Sequence, residues 1–496
     1  MKKLDEFLKG EGASFPGKTY VEELLRPVFN DQRDYLFHVM FDIHRAHVVM
    51  LAEQGIIPKD EGRIMLNGIN KVAKSDTRSL AYEPQFEDLF FMMEAKIAEE
   101  IGEELAGKIH IARSRNDMGI AMYRLVLRER ILEMLGYMYD LSDVLLEQAK
   151  AHHETYMTGY THTQPAQPTT LGHYLLAIYD VLQRDIVRFW SAYKTVNQSS
   201  LGAAALTTTG FPICRDRTRA LLGFDQLIEN SYDAIGGADY LLETASSLMT
   251  CMVNTGRWIQ DFLQHVTREF GTFQVADPYV QVSSIMPQKR NPVSIEHSRS
   301  LASSAYGEAF AAMNMIHNTP FGDIVDTEDD LQPHLYRSFN NANRVFKLMY
   351  AVIATVNVNK EHAKEMAKKS CITITELADT LSRDYNIPFR QAHAIASHIS
   401  KQTVKEGNEL SDWDIADVNH VIQPFVSVSL TEDEWKKIIS PEYFVRIRNR
   451  QGGPSPQEVI RMINNRAEAL MHDKKAYERL VEELKKKREK LVGFTF

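Results

Sequence analysis

The chain is poor in cysteine: three in 496 residues, Cys214, Cys251 and Cys371, far apart and odd in number. That excludes a disulfide framework and a Cys-x-x-Cys metal site, and it fits a reducing cytoplasm. Cys251 lies in an apolar helical stretch, where a core role is the simpler reading. No run of about 18 apolar residues is present, so no membrane span is expected. The opening Met1-Lys2-Lys3-Leu4-Asp5-Glu6 has no apolar stretch behind it, so no signal peptide is expected and the expected location is the cytoplasm. There is no basic excess either. Lys plus Arg number 57 against 66 Asp plus Glu, and the net charge of −9 argues against a nucleic-acid partner. Internal repeats and low-complexity segments are missing, and strand signals are weak throughout.

Long stretches without proline dominate the middle of the chain. From Ala121 to His153, Leu127, Ile131, Leu135, Met138, Leu141 and Leu145 recur at three- and four-residue steps, which is one face of a helix. Similar stretches run from Leu171 to Val196, Ala238 to Phe270, Pro292 to His317 and Leu331 to about Met366. The spacing predicts an all-α fold with a central bundle of five long helices over 111–366. Smaller helical domains flank it at 1–110 and 367–496. Apolar residues on more than one helix face suggest packing against other chains. In the last segment, Asn386-Ile387-Pro388 splits two short helices, and Gln451-Gly452-Gly453-Pro454-Ser455-Pro456 breaks the chain before a final helix. The charged tail reads as a solvated helix rather than a basic patch, because Glu482–Lys486 and Glu483–Lys487 stand four apart in the favourable order.

Three polar loops each lead into a helix. Ser283-Ser284-Ile285-Met286-Pro287-Gln288-Lys289-Arg290-Asn291-Pro292 ends in Asn-Pro, with Asn291 a natural cap and Pro292 suited to the first helical position. His110-Ile111-Ala112-Arg113-Ser114-Arg115-Asn116-Asp117 offers Asn116 or Asp117 as a cap. Tyr160-Thr161-His162-Thr163-Gln164-Pro165-Ala166-Gln167-Pro168-Thr169-Thr170 is kept extended by its prolines and precedes a helix starting near Leu171. Free N–H groups and the positive end of a helix dipole make such loops anion sites. Read singly, each could be a surface cap. Together they suggest a ligand with more than one negative charge.

The first loop resembles the Ser-Ser-x-Met-Pro-x-Lys-x-Asn signature of the fumarase/aspartase superfamily, and the other two match separated blocks of the same superfamily. Within it, the chain resembles the argininosuccinate lyase family over most of its length. Gly107-Lys108-Ile109-His110 through Arg113-Ser114-Arg115-Asn116-Asp117, Gly172-His173-Tyr174-Leu175-Leu176, Leu201-Gly202-Ala203-Ala204-Ala205-Leu206, Pro388-Phe389-Arg390-Gln391-Ala392-His393 and Gly452-Gly453 are similar to that family's blocks. The Gln288-Lys289 pair favours this branch over fumarase and aspartase.

The resemblance implies a homotetramer in which three subunits build each active site. It implies elimination of fumarate from an aspartyl group, with no metal and no organic cofactor. It puts Ser283 at the position of the catalytic base, with Ser284 and Met286 beside it. Lys289 and Asn291 match residues that hold a substrate carboxylate and the carbanion made from it. Arg113, Ser114, Arg115 and Asn116 match a second substrate-binding block, and Thr161 with His162 a third. Glu296 stands where the family has a carboxylate that pairs with the histidine, and Gln332 is kept as a substrate-side residue. These types suit the chemistry. Removing a proton beside a carboxylate builds up negative charge, which a cation and N–H donors stabilise. A serine can act as the base only where its alkoxide is stabilised and water is excluded.

The chain also leaves the family pattern. The opening Trp-Gly-Gly-Arg-Phe is replaced by Gly10-Glu11-Gly12-Ala13-Ser14-Phe15. The Glu-Asp-x-His-Met block reads Glu87-Asp88-Leu89-Phe90-Phe91-Met92, so Phe90 replaces the histidine and Met92 stands where asparagine is common. The Tyr-Asn-x-Asp-Leu-Gln-x-x-Lys segment reads Thr327-Glu328-Asp329-Asp330-Leu331-Gln332-Pro333-His334-Leu335, without the tyrosine and the lysine. Fumarate-side residues are kept and arginine-side residues are replaced. The reading is a carbon–nitrogen lyase that releases fumarate from an N-substituted L-aspartate. An aminopolycarboxylate such as ethylenediamine-N,N′-disuccinate and argininosuccinate itself are the candidate substrates. Arg115 or His334 would be free to meet a second carboxylate. A non-catalytic, crystallin-like structural protein is the alternative from another class, and the intact Thr161, His162, Ser283, Lys289 and Asn291 argue against it. A fumarase is disfavoured by the Arg-Ser-Arg-Asn block.

Overall fold

The proline-free apolar stretches fold as five long helices in the computed structural model, which describes residues 2–496: α3 (Arg115–Ala151), α4 (Leu171–Val196), α5 (Asp239–Val266), α6 (Val293–Ile316) and α7 (Gln332–Thr355). Before them come α1 (Phe37–Glu53) and α2 (Leu89–Ile101), among other short helices. The all-α architecture read from the pattern is the observed one. Leu127, Ile131, Leu135, Met138, Leu141 and Leu145 are all fully buried along α3. Each such side chain contributes roughly 1.5–3 kcal/mol of burial, which holds this helix at the centre of the bundle.

Neighbouring helices run antiparallel, as polar contacts between them show. Near the start of α3, Arg124 donates to the Thr195 carbonyl at the end of α4 and lies over the Tyr240 ring at the start of α5. At the opposite end, Tyr174 near the start of α4 donates to Asp261 near the end of α5 at 2.7 Å. Glu308, late in α6, binds His334 and Arg337 in the first turns of α7.

Two helix starts differ from the sequence expectation. The cap of α3 is Ser114, not Asn116 or Asp117. Asp117 instead closes a capping box by accepting from the Ser114 amide at 3.0 Å, and its other oxygen accepts from Gly202 and Ala204. Asn291 does not cap α6. It pairs with Gln281 in a two-residue ladder, so Pro292 takes the cap position and the helix begins at Val293. The fifth helix ends at Thr355 rather than near Met366, because Asn357 and Val358 pair with Gln274 and Phe273 before a separate helix, Lys360–Met366, begins.

The proline-rich loop before α4 is a β-hairpin, β1 (Tyr156–Thr161) against β2 (Gln164–Thr170), with a register shift at Gly159/Tyr160. Its strand character was not visible in the sequence. Prolines 165 and 168 remove two N–H donors from β2, so hydrophobic alternation is weak there.

A second core spans Cys371 to Ile438 and includes α8 (Thr375–Tyr385) and α9 (Phe389–Glu406), separated by Asn386 in the left-handed region. The final helix, α10 (Pro456–Val492), lies with the first core. Tyr477 donates to the Leu132 carbonyl of α3, and Arg488 binds Asp42 of α1. Of the two tail pairs, Lys486–Glu482 forms at 3.3 Å. No helix among the described residues is long and apolar enough to cross a membrane.

Candidate active site

The N-terminus of α3 opens onto a cavity of about 320 Å³. Arg115 and Asn116 line it, facing Glu87 and Asp88 on one wall and Asp323, Glu328, Asp329 and Asp330 on the other. Arg115 is held by Asp88 at 3.0 Å and Glu87 at 3.3 Å, and its guanidinium lies 4.7 Å from the centre of the Phe91 ring. Asn116 donates to Asp323 at 2.9 Å and to the Ala205 carbonyl at 3.3 Å. Ser114 is used locally: its hydroxyl accepts from the Asn116 amide and contacts the Asn116 side chain at 3.1 Å.

Six carboxyl groups against one arginine make the cavity strongly acidic. Burial, with a hydrogen bond and like charge from Asp323 acting in the same direction, pushes the Glu328 carboxyl up to about 8. A carboxyl set beside another carboxyl resists ionising, since like charges so close repel. Burial also raises Asp88 and Asp329; Asp329 is pulled back partly by donors from Gln32 and Tyr123.

Several residues read from the sequence as substrate-side do not face this cavity. Arg113 is buried in the N-terminal core, with its guanidinium against His44 at 3.1 Å and Glu94 at 3.5 Å and over the Phe90 ring. Gln332 is buried at the start of α7, donating to the Thr327 carbonyl and accepting from Tyr336. Met92 and Leu335 are core residues, and the Thr327 hydroxyl donates to the Ile324 carbonyl. Of the four replaced positions, Phe90 alone lines the cavity. Arg115 and His334 are not free for a second carboxylate: the first is held by Glu87 and Asp88, the second by Glu308 and Arg337.

The remaining candidates sit at the far end of the bundle. Thr161 and His162 are exposed at the tip of the hairpin, with His162 at φ 52 and Thr163 at φ 61. Ser283 lies in the loop that joins the strands of the Gln281–Asn291 ladder, and its Oγ accepts from the Met286 amide at 3.0 Å and the Ile285 amide at 3.4 Å. Ser284, Met286 and Lys289 in this loop are exposed, and Lys289 makes no ion pair among the described residues. Glu296 is exposed in the first turn of α6 and forms no bond with His162. Both groups adjoin the starts of α4 and α6, whereas the acidic cavity adjoins the starts of α3 and α7. The twenty-one residues from Glu296 to Ile316 alone span about 30 Å. One chain therefore does not bring the three polar loops together.

Sequence reasoning missed Gln32, Asp323, Glu328 and Asp329 as cavity residues. Glu87 and Asp88 carried a signal, since they belong to a block with a recognisable pattern. Gln32 carried none, because nothing in its local sequence tells that it reaches a loop 297 positions away.

Comparisons with known proteins bear on this geometry. A family model described as lyase matches residues 25–307, and one described as the argininosuccinate lyase C-terminal region matches residues 371–446. The chain is 38% identical over 459 residues to argininosuccinate lyase 2 of Agrobacterium fabrum, covering 90% of each. It is 35% identical over 464 residues to argininosuccinate lyase of Methanocaldococcus jannaschii, covering 94% of each. Its fold is similar to that of an EDDS lyase solved in complex with formate, with a TM-score of 0.85, 31% identity, and 93% of this chain and 91% of that chain covered. The same fold, at 18% identity and a TM-score of 0.73, occurs in 3-carboxy-cis,cis-muconate lactonizing enzyme from Pseudomonas putida, which covers 91% of this chain and 99% of that one.

Proposed function

Given that the chain belongs to the argininosuccinate lyase family of the fumarase/aspartase superfamily and is a fumarate-eliminating carbon–nitrogen lyase, we propose that its substrate is an N-substituted L-aspartate other than argininosuccinate, with an aminopolycarboxylate such as ethylenediamine-N,N′-disuccinate the leading candidate. The observation that carries this is Phe90. It stands in the wall of the acidic cavity at the family's histidine position. A hydrogen-bonding partner for an arginine end is thereby replaced by an apolar ring, and an unmatched buried polar group costs a ligand about 1–3 kcal/mol.

In this reading Ser283 removes the proton from the carbon beside a substrate carboxylate. Its Oγ already accepts two backbone N–H bonds, which is the arrangement that favours an alkoxide. Lys289 and Asn291 meet the negative charge that develops, Thr161 and His162 hold the substrate from a second chain, and the carbon–nitrogen bond breaks with its electron pair leaving on the amine. Glu296 orients His162 across a subunit boundary. The acidic cavity takes the protonated nitrogens of the amine half, and no metal or organic cofactor is needed. The assembly is a homotetramer. The separation of the loops within one chain supports it, as do the exposed side chains Val187, Val253 and Phe310 on the bundle surface.

Argininosuccinate is the second reading. The six-carboxylate cavity also suits a guanidinium, and the relatives named above carry that activity in their names. Incubating the enzyme with each N-substituted aspartate and following fumarate absorbance separates the two. Ethylenediamine-N,N′-disuccinate should give the higher kcat/KM. Efficient cleavage of argininosuccinate alone would defeat the proposal.

A further inference from the structure

We infer that Gln32 is a positioning residue for the amine half of the active site, an inference that rests on the reading of the acidic cavity given above. Gln32 lies in the cavity wall and uses both ends of its side-chain amide. Its Oε1 accepts from the Leu89 backbone N–H at 3.2 Å, and its Nε2 donates to Asp329 Oδ1 at 3.2 Å. The orientation of the amide is fixed by these partners. Flipping it would set an NH2 against an N–H and a carbonyl against a carboxylate.

The two contacts fall on opposite walls. Leu89 supplies the first amide of α2, and the cap of that helix, Asp88, is the residue that holds Arg115 at 3.0 Å. Asp329 follows Glu328 directly, in the loop that also presents Asp323 to Asn116. One neutral side chain therefore sets the spacing between the Arg115 wall and the carboxyl wall.

The segment carrying Gln32 is shaped for this role. Two π-helical turns, Val21–Leu25 and Gln32–Leu36, flank the short helix Arg26–Asp31. Such turns widen the helix locally and are frequent at functional sites. Asp329 is half-buried, and besides Gln32 its donor is the Tyr123 hydroxyl at a long 3.4 Å. Without Gln32, Asp329 would be held by that one weak contact, and the Leu89 N–H would lose its partner.

The test runs the reaction in the addition direction, with fumarate and an amine such as ethylenediamine as separate substrates. Gln32→Leu should raise KM for the amine by about tenfold, the worth of one hydrogen bond to a charged group, with KM for fumarate within twofold of wild type. Gln32→Glu keeps the acceptor for Leu89 and loses the donor to Asp329, so it should show the same split in a nearly isosteric fold. In an Asp329→Asn background, Gln32→Leu should cost much less than it does alone, because the two act as one unit. A parallel rise in both KM values, or full additivity with Asp329→Asn, overturns the positioning role. If the wild type joins fumarate to no amine, the functional reading falls and this inference falls with it.

Discussion

Asn116 donates its side-chain amide to Asp323 at 2.9 Å, and Asp323 is itself hydrogen-bonded to Glu328. The contact links the first turn of α3 to a loop 207 positions later in the chain. It also fixes the Asp323 carboxyl beside Glu328, whose own carboxyl is raised to about 8.

That pair predicts a pH dependence of stability. The Glu328 carboxyl is raised from 4.5 to about 8 in the folded protein. The native state then keeps a proton that the unfolded chain releases, so stability falls as pH rises through this window. Glu328→Gln removes the titrating group. Thermal unfolding between pH 5 and 8.5 should show the variant losing less Tm than the wild type, by at least about 2 °C. Parallel Tm curves for the two proteins would contradict the raised Glu328 carboxyl.

Ser283→Ala should lower turnover by several orders of magnitude with the fold intact, a loss of several kcal/mol in transition-state stabilisation. Steady-state kinetics alongside circular dichroism check this. Near-normal turnover in a folded variant would rule Ser283 out as the base and leave Ser284 as the next residue to test.

Lys289→Met should depress kcat far more than it raises KM for the amine. In the proposed mechanism the charge of Lys289 meets the carboxylate on which negative charge builds, beside the start of α6. A change confined to amine affinity would assign Lys289 to the other half of the substrate.

Mixing inactive Ser283→Ala protein with inactive His162→Ala protein should restore part of the activity. Hybrid tetramers would assemble some sites with both residues intact, each from a different chain. No recovery after subunit exchange has been confirmed, for instance by mass spectrometry, would count against shared sites.

Gly172→Ala should destabilise the protein by about 1–3 kcal/mol. A Cβ there would lie 2.6 Å from the Ala149 carbonyl oxygen and 2.9 Å from the His153 Cα, both backbone atoms. This close approach joins the end of α3 to the start of α4 and carries the hairpin with Thr161 and His162. Urea unfolding measures the loss, and an unchanged midpoint would show that the backbones can separate freely.

The five bundle helices were legible because their signal is local and repeated. Leu127 through Leu145 recur with helical period, and every one of them is buried. The helix starts were harder. Ser114, Asn116 and Asp117 are all good caps, and the choice of Ser114 depends on Asp117 being engaged by Gly202 and Ala204, far along the chain. Asn291 failed as a cap for a similar reason, since Gln281 claims its backbone.

The candidate site divides the same way. Motif residues such as Arg115, Asn116, Ser283 and Lys289 were visible as side-chain types at fixed spacing in polar loops. That Arg113 turns into the core while Arg115 faces the cavity was not visible, because two residues in one loop differ there only in what packs against them.

By itself the sequence determined the helical class, the family and the types of group available for the chemistry, since periodicity and motif spacing are properties of neighbours in the chain. The tertiary structure alone decided which of those groups share a cavity. It set Gln32 against Asp329 and Asn116 against Asp323, and it kept Ser283 and His162 a bundle length away. Antiparallel packing of helices tens of ångströms long sends successive loops to opposite ends. Proximity in this protein therefore follows from helix length and direction, which no single motif encodes.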